Sequence, residues 1–214
     1  TGENATLIKD SPNTARATAQ PARAAGNKLQ GDTNMDELYL RRSVRSYLDK
    51  PVEKEKLLEI LQAGTCAPSA MNNKDRQFTA ISNKEILGEL NAAIEGLLDN
   101  SFVERIKGRT GGKFNFFYNA PVLIVVSTDP NGHCPAADCA VALENMFLKA
   151  TGLDLATCWI NQLVATCDEK QVRKVLTKAG VPENHKVYGA CALGYSDAET
   201  KKITAKDNKI VICD

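Results

Sequence analysis

The 214-residue sequence is most informative first for what it lacks. No G-x-G-x-x-G follows an apolar run, and no G-x-x-x-x-G-K-[ST] occurs, so dinucleotide or nucleotide phosphates have no glycine-rich backbone cradle. A G-x-S-x-G elbow is also missing, which removes that route to an activated serine. No apolar stretch approaches the roughly 18 residues needed for a membrane-spanning helix. Charge of one sign is lacking too: 27 basic against 26 acidic residues leave a net charge of +1. That balance argues against a nucleic-acid binder relying on bulk electrostatics. Histidine is scarce, with two in the chain. His133-Cys134 with Asp138-Cys139 lacks the two paired ligand sets of structural zinc, and we expect no metal there.

What is present suits a globular chain, with 43% hydrophobic residues. The seven cysteines are an odd number, too sparse for a secreted disulfide scaffold, and most sit in apolar surroundings where cysteine acts as a small hydrophobe. Reduced thiols are expected, hence the cytoplasm or an anaerobic environment. Residues 1–33 contain no aromatic and are rich in Ala, Thr, Asn, Gly and Gln, a composition expected to form a flexible tail. The chain starts at Thr1, so an exported form whose signal peptide has been removed is the alternative compartment. Residues 34–214 are expected to form one domain.

Periodicity predicts the elements. Met35 to Leu40 reads as a short helix, and Glu53 to Ala63 as an amphipathic one stopped by Gly64. Gln77 to Ile81 reads as a strand. Ser82 with Glu85 matches a capping box opening a helix through Leu97, and Thr166 with Glu169 matches another. Ser101 to Tyr118 is either a mobile flap or a glycine-containing loop with Phe114, Phe116, Phe117 and Tyr118 packed inward. Pro121 to Ser127 predicts a strand buried on both faces. Ala136 to Thr151 is a helix apolar almost all round, central to the fold or to a subunit interface. Leu155 to Ile160, Lys186 to Leu193 and a short Ile210 to Cys213 complete the strands. The class is α+β, a sheet covered by helices.

Chemistry concentrates in Arg41-Arg42-Ser43-Val44-Arg45-Ser46-Tyr47. Guanidinium forks match the oxygens of a phosphate, so this cluster is a candidate phosphate grip; the alternative is a solvated basic patch. Ala67-Pro68-Ser69-Ala70-Met71-Asn72-Asn73 then reads as a loop, followed by Arg76-Gln77-Phe78. These two segments, Asn119-Ala120-Pro121 with its apolar run, Asp138-Cys139 with Asn145, Cys158-Trp159-Ile160 and Gly194-Tyr195 together resemble the FMN-dependent nitroreductase family. The resemblance spans roughly residues 36–200 in the family's order and spacing.

That resemblance implies a central mixed, mainly antiparallel sheet flanked by helices, in an intertwined homodimer with its FMN sites at the subunit interface. It implies that Arg41, Arg42, Ser43 and Arg45 of one subunit serve the phosphate, ribityl and pyrimidine end of FMN. Pro68, Ser69, Ala70 and Asn72 of the partner subunit would line the ring and phosphate. Trp159, Ile160 and Asn161 would face the flavin N5 side, with Asn161 standing where the family commonly has glycine. The family's C-terminal arginine has no counterpart in Lys201 to Lys206, so Lys206 or Lys202 is the substitute cation. Cys158 is read as structural, since related proteins carry a similar Cys-Trp-Ile without thiol catalysis. The implied activity is reduction of nitroaromatics, quinones or similar acceptors by NADH or NADPH through FMN, with ping-pong kinetics and no catalytic side chain. The alternatives are a flavin-binding module without turnover and a specialised reaction such as reductive dehalogenation.

Overall fold

The computed structural model describes residues 36–203 and 209–213. The expected tail at 1–33 and the candidate Lys206 lie outside the described residues. Helices α1 (Glu37–Leu40), α2 (Lys54–Thr65), α3 (Lys84–Glu95), α4 (Asn100–Lys107), α5 (Pro135–Gly152), α6 (Gln162–Thr166) and α7 (Lys170–Lys178) surround strands β1 (Gln77–Ile81), β2 (Val122–Thr128), β3 (Ala156–Ile160) and β4 (Lys186–Gly194). The sheet order is β1-β2-β4-β3, each neighbouring pair antiparallel. A parallel bridge joins Ser43 to Thr157, on the edge of β3 away from β4. The predicted α+β class and the four main strands are therefore observed.

Every residue of β2 is buried, because helices cover both faces of the sheet. Its side chains alternate as the strand period requires. Val122, Ile124 and Val126 join Ile60 of α2 and Leu143, Met146 and Phe147 of α5 on one face. Leu123 and Val125 meet Leu90 and Ile94 of α3 and Val172 and Leu176 of α7 on the other. The long helix α5 is thus central, as its composition predicted, with Cys139, Ala142, Leu143, Met146, Phe147 and Ala150 facing inward.

Ser101 to Tyr118 is no flap. Asp99 caps α4 by accepting from the Ser101 N–H, and Phe114, Phe116, Phe117 and Tyr118 all enter the core. Phe116 and Phe117 meet edge to face at 5.1 Å between centroids. The strong demand of four aromatic rings for burial decides against an open segment.

Other expectations need correction. Gly64 does not stop α2, which continues to Thr65. It is instead a packing point: a Cβ there would stand 3.1 Å from Met146 Cγ and 3.3 Å from Phe78 Cζ. Ser82 is not the cap of α3. Asn83 takes that place, its Oδ1 accepting from the Glu85 and Ile86 N–H groups and moving the start one residue on. Thr166 closes α6 rather than opening α7, since its hydroxyl donates to the Gln162 carbonyl at 2.9 Å. Ile210 to Cys213 is not a strand within the described residues. It finds no sheet edge there, and Ile210, Val211 and Ile212 are 83%, 74% and 80% exposed.

His185 gives the fold an acid sensitivity. Its Nδ1 lies 3.3 Å from the buried Ser127 hydroxyl, and burial lowers its pKa below the ordinary 6.5, against the raising influence of Asp129 and Asp75. The folded protein holds the imidazole neutral where the unfolded chain would already be protonated. Stability therefore falls as pH drops through 6.5 and levels off below the folded pKa. His185→Gln should flatten that slope in denaturant titrations run between neutral and mildly acidic pH.

Candidate functional site

The arginine segment runs along the edge of β3 away from β4. Val44 is buried, its N–H donating to the Thr157 carbonyl at 2.9 Å, so residues on either side of it are held in extended form. Tyr47 secures the following turn, its hydroxyl donating to the Val44 carbonyl at 2.9 Å and lying 3.3 Å from that of Ala192. Burial pushes the Tyr47 hydroxyl well above its usual range, so it remains a donor at any working pH.

The three guanidiniums are sparsely matched by acids. Arg41 Nε lies 3.5 Å from Glu144 Oε1 of α5, a long contact with the carboxylate half exposed. Among the described residues Arg42 donates to two carbonyls, those of Tyr39 at 3.0 Å and Arg41 at 2.9 Å. Arg45 donates to the Ser43 carbonyl at 3.1 Å and stands 5.8 Å from the centroid of the Tyr118 ring. Among the described residues these contacts engage few of the guanidinium N–H groups, and such forks match the oxygens of a phosphate.

Two places from this segment, Trp159 sits on β3 with 37% of its surface exposed. Its ring meets Phe147 of α5 edge to face at 6.0 Å and lies over Gly189 of β4. A Cβ at Gly189 would approach Leu143 Cδ1 to 2.5 Å and Trp159 Cζ2 to 3.1 Å, so a side chain there must displace the Leu143 methyl and press on the indole. Gly189→Ala should cost about 1–3 kcal/mol through overpacking. Since Trp159 is the chain's single tryptophan, a changed emission spectrum would report the displaced ring directly. Ile160 is buried, and Asn161 begins α6 at φ −104°, an ordinary conformation that needs no glycine.

Cys158 is buried in the opposite face of the sheet, and burial raises its thiol pKa although Arg45, Arg109 and Arg41 pull the other way. The thiol stays protonated, in keeping with a structural reading. Cys139 behaves likewise, pushed up by burial to about 12.

The second predicted group lies elsewhere. Ala67 is buried at the end of α2, and Pro68 to Asn72 follow as a loop containing a single 3-10 turn, Ala70–Asn72. Met71 and Asn72 both have φ of 55°, a left-handed pair of non-glycine residues. Such residues cost of order 1–3 kcal/mol each and persist where their surroundings hold them. The Met71 side chain is 81% exposed at the tip. The loop is fastened to α5, where Asp138 Oδ1 accepts the Ala70 N–H at 3.0 Å. Asn145 of α5 also donates to the Ala63 carbonyl at 3.2 Å.

Within one chain the two groups rest on different parts of α5. One rests against Asp138 and the other against Glu144, six residues further along α5. At ~100° and ~1.5 Å per residue these positions lie about 9 Å apart along the axis and on different faces. Among the described residues no hydrogen bond or ion pair joins the loop to Arg41, Arg42, Ser43 or Arg45. Lys202 does reach the arginine segment's neighbourhood, paired with Asp36 and 5.6 Å above the Tyr39 ring. Tyr118 beside Arg45 and Gly189 beneath Trp159 join the site without being candidates in the sequence. A lone glycine inside an apolar strand was a usable signal for close approach; nothing local marks Tyr118 as a neighbour of Arg45.

The fold is thus an α+β sheet with a row of arginines along one edge and a small-residue loop fastened to α5. The chain belongs to the nitroreductase family, matching it over residues 38–195. A crystallised nitroreductase with bound FMN from Bacteroides fragilis is 43% identical and superposes with a TM-score of 0.76, covering 84% of this chain and 98% of its own. Another with bound FMN, from Desulfitobacterium hafniense, is 27% identical at the same TM-score, covering 85% and 99%. A protein of Archaeoglobus fulgidus, provisionally named NADH dehydrogenase/NAD(P)H nitroreductase, is 30% identical over 175 residues, covering 79% of this chain and 89% of its own.

Proposed function

We propose that this protein is an FMN-dependent oxidoreductase that uses NADH or NADPH to reduce nitroaromatics, quinones or similar acceptors. The observation that carries the reading is the row of under-paired guanidiniums beside the half-exposed Trp159, in a chain whose fold matches proteins crystallised with FMN. The donor set fits the cofactor. Bound there, FMN would supply hydride transfer from the nicotinamide and then to the acceptor, in ping-pong order.

The chain's own residues bind and orient. Arg41 and Arg42 neutralise the phosphate, and Lys206 or Lys202 is the candidate for additional charge. The exposed Ser43 hydroxyl is available to the ribityl chain. Arg45, held over Tyr118, places fixed positive charge where the pyrimidine end gains electrons. Trp159 and Ile160 give an apolar wall, and the Asn161 amide is available as a polar partner. No side chain need move a proton. The buried Cys158 thiol stays protonated and takes no nucleophilic part.

The other half of the site, Pro68, Ser69, Ala70 and Asn72, is assigned to the partner subunit in an intertwined homodimer. Two features support this: the separation of the groups around α5, and the exposed Ile210-Val211-Ile212 run, whose apolar side chains suit burial against a second copy. A cytoplasmic location is consistent with the burial of Cys139, Cys158, Cys167 and Cys191 as small hydrophobes.

A flavin-binding module without turnover remains the second reading, favoured by one observation: Lys202 is engaged by Asp36. Anaerobic addition of NADH or NADPH to the FMN-loaded protein separates the two. Bleaching of the flavin bands, restored by a quinone or nitroaromatic, supports the oxidoreductase. Bands that persist with both nucleotides support the module.

A further inference from the structure

We infer that Arg76 and Asp138 are positioning residues, which together lock the Pro68–Asn72 loop into the shape it presents to a flavin. This rests on the functional reading above. Arg76 stands just before β1, half-buried, its backbone fixed by the strand that follows. Its Nη1 donates to the Pro68 carbonyl at 3.1 Å and to the Asp138 carbonyl at 2.9 Å, and its Nη2 to the Ala67 carbonyl at 2.8 Å. One guanidinium thus ties the end of α2, the loop and the first turn of α5 together. Asp138 closes the arrangement from the other side through the Ala70 N–H.

Among the described residues Arg76 meets no carboxylate, so its charge is spent on carbonyl oxygens rather than on an ion pair. The fork geometry explains why arginine stands there: lysine has no planar pair of donors with which to span separate carbonyls. The left-handed pair Met71 and Asn72 sits immediately after the tied residues. Without the ties this strained pair would relax, and binding would have to order the loop each time. Preorganisation removes that cost from the affinity.

Asp138 allows the positioning role to be separated from simple stability. Its carboxylate lies in the first turn of α5, where negative charge favours the helix dipole. Asp138→Asn loses that charge but keeps an oxygen that can accept from Ala70. Asp138→Ala loses both.

The test measures hydrogen exchange across residues 67–73 in flavin-free protein and FMN affinity by quenching of flavin fluorescence. Arg76→Gln and Asp138→Ala should each lose protection at Ala70 and weaken FMN binding about tenfold, the loss expected when a preorganised loop must be ordered on binding. Asp138→Asn should melt lower than wild type, yet keep the loop protected and the affinity within about twofold. Unchanged exchange and affinity in Arg76→Gln and Asp138→Ala overturn the inference. So does an affinity loss in Asp138→Asn matching that in Asp138→Ala, which would mean that stability alone is at work. If wild-type protein takes up no FMN, the functional reading fails, and exchange alone decides the clamp: protection in wild type that vanishes in the variants upholds it, and equal exchange refutes it.

Discussion

Arg41→Gln is expected to weaken FMN binding by about ten- to a hundredfold while leaving the fold intact. A hydrogen bond to a charged group contributes roughly 1.5–3 kcal/mol, and each 1.4 kcal/mol is tenfold in affinity. The fold loses little, because the pair with Glu144 is long and its carboxylate half exposed, a kind of contact worth about 0–1 kcal/mol. Arg45→Gln should follow the same pattern, since its described partners are one local carbonyl and the Tyr118 face. Arg42→Gln should differ. That guanidinium bridges the carbonyls of Tyr39 and Arg41, so its removal should loosen the segment as well as weaken binding. Lys84→Gln, at an exposed pair with Asp49 on α3, serves as the control and should change neither quantity. Flavin fluorescence titration alongside thermal melting distinguishes these outcomes. Equal affinity in Arg41→Gln, Arg45→Gln and wild type would mean the cluster is a solvated patch.

Phe116→Ala should be the most destabilising of the single changes considered, costing about 3–5 kcal/mol. The ring is fully buried and packs edge to face on Phe117, in the core face that α3, α4 and α7 cover. For a chain of this size that corresponds to a fall in Tm of order 10 °C. The result bears on acceptor access as well as stability. A segment that worked as an open lid would lose little on truncation of one ring. Denaturant melts of Phe116→Ala that matched wild type would return residues 101–118 to the role of a flap.

These two segments also mark where the sequence could and could not be read. The β2 run was legible because an unbroken β-branched stretch has few other uses, and α5 because a nearly all-apolar helix must be central. The aromatic segment after α4 was ambiguous because glycines and rings side by side fit a lid and a core plug equally; only the packed neighbours decide. The capping errors at Ser82 and Thr166 have different causes: the neighbouring Asn83 supplies the cap of α3, and the Thr166 hydroxyl goes to the Gln162 carbonyl of its own helix, choices that spacing alone does not reveal. Ile210 to Cys213 has strand-like residues, but a strand also needs an edge to join.

At the site, Arg41 to Arg45 and Pro68 to Asn72 stood out as motifs, yet their separation around α5 could not be foreseen from spacing. Arg76 and Asp138 were visible as motif residues without a role, since the carbonyls they hold become neighbours only after folding.

The most direct test of a flavin site divided between two subunits is sedimentation of the FMN-loaded protein followed at the flavin's visible band. The colour is expected to travel with a dimer carrying about one FMN per chain, because each complete site takes one half from each subunit. Flavin sedimenting with a monomer, or protein that remains colourless after incubation with FMN, would contradict it.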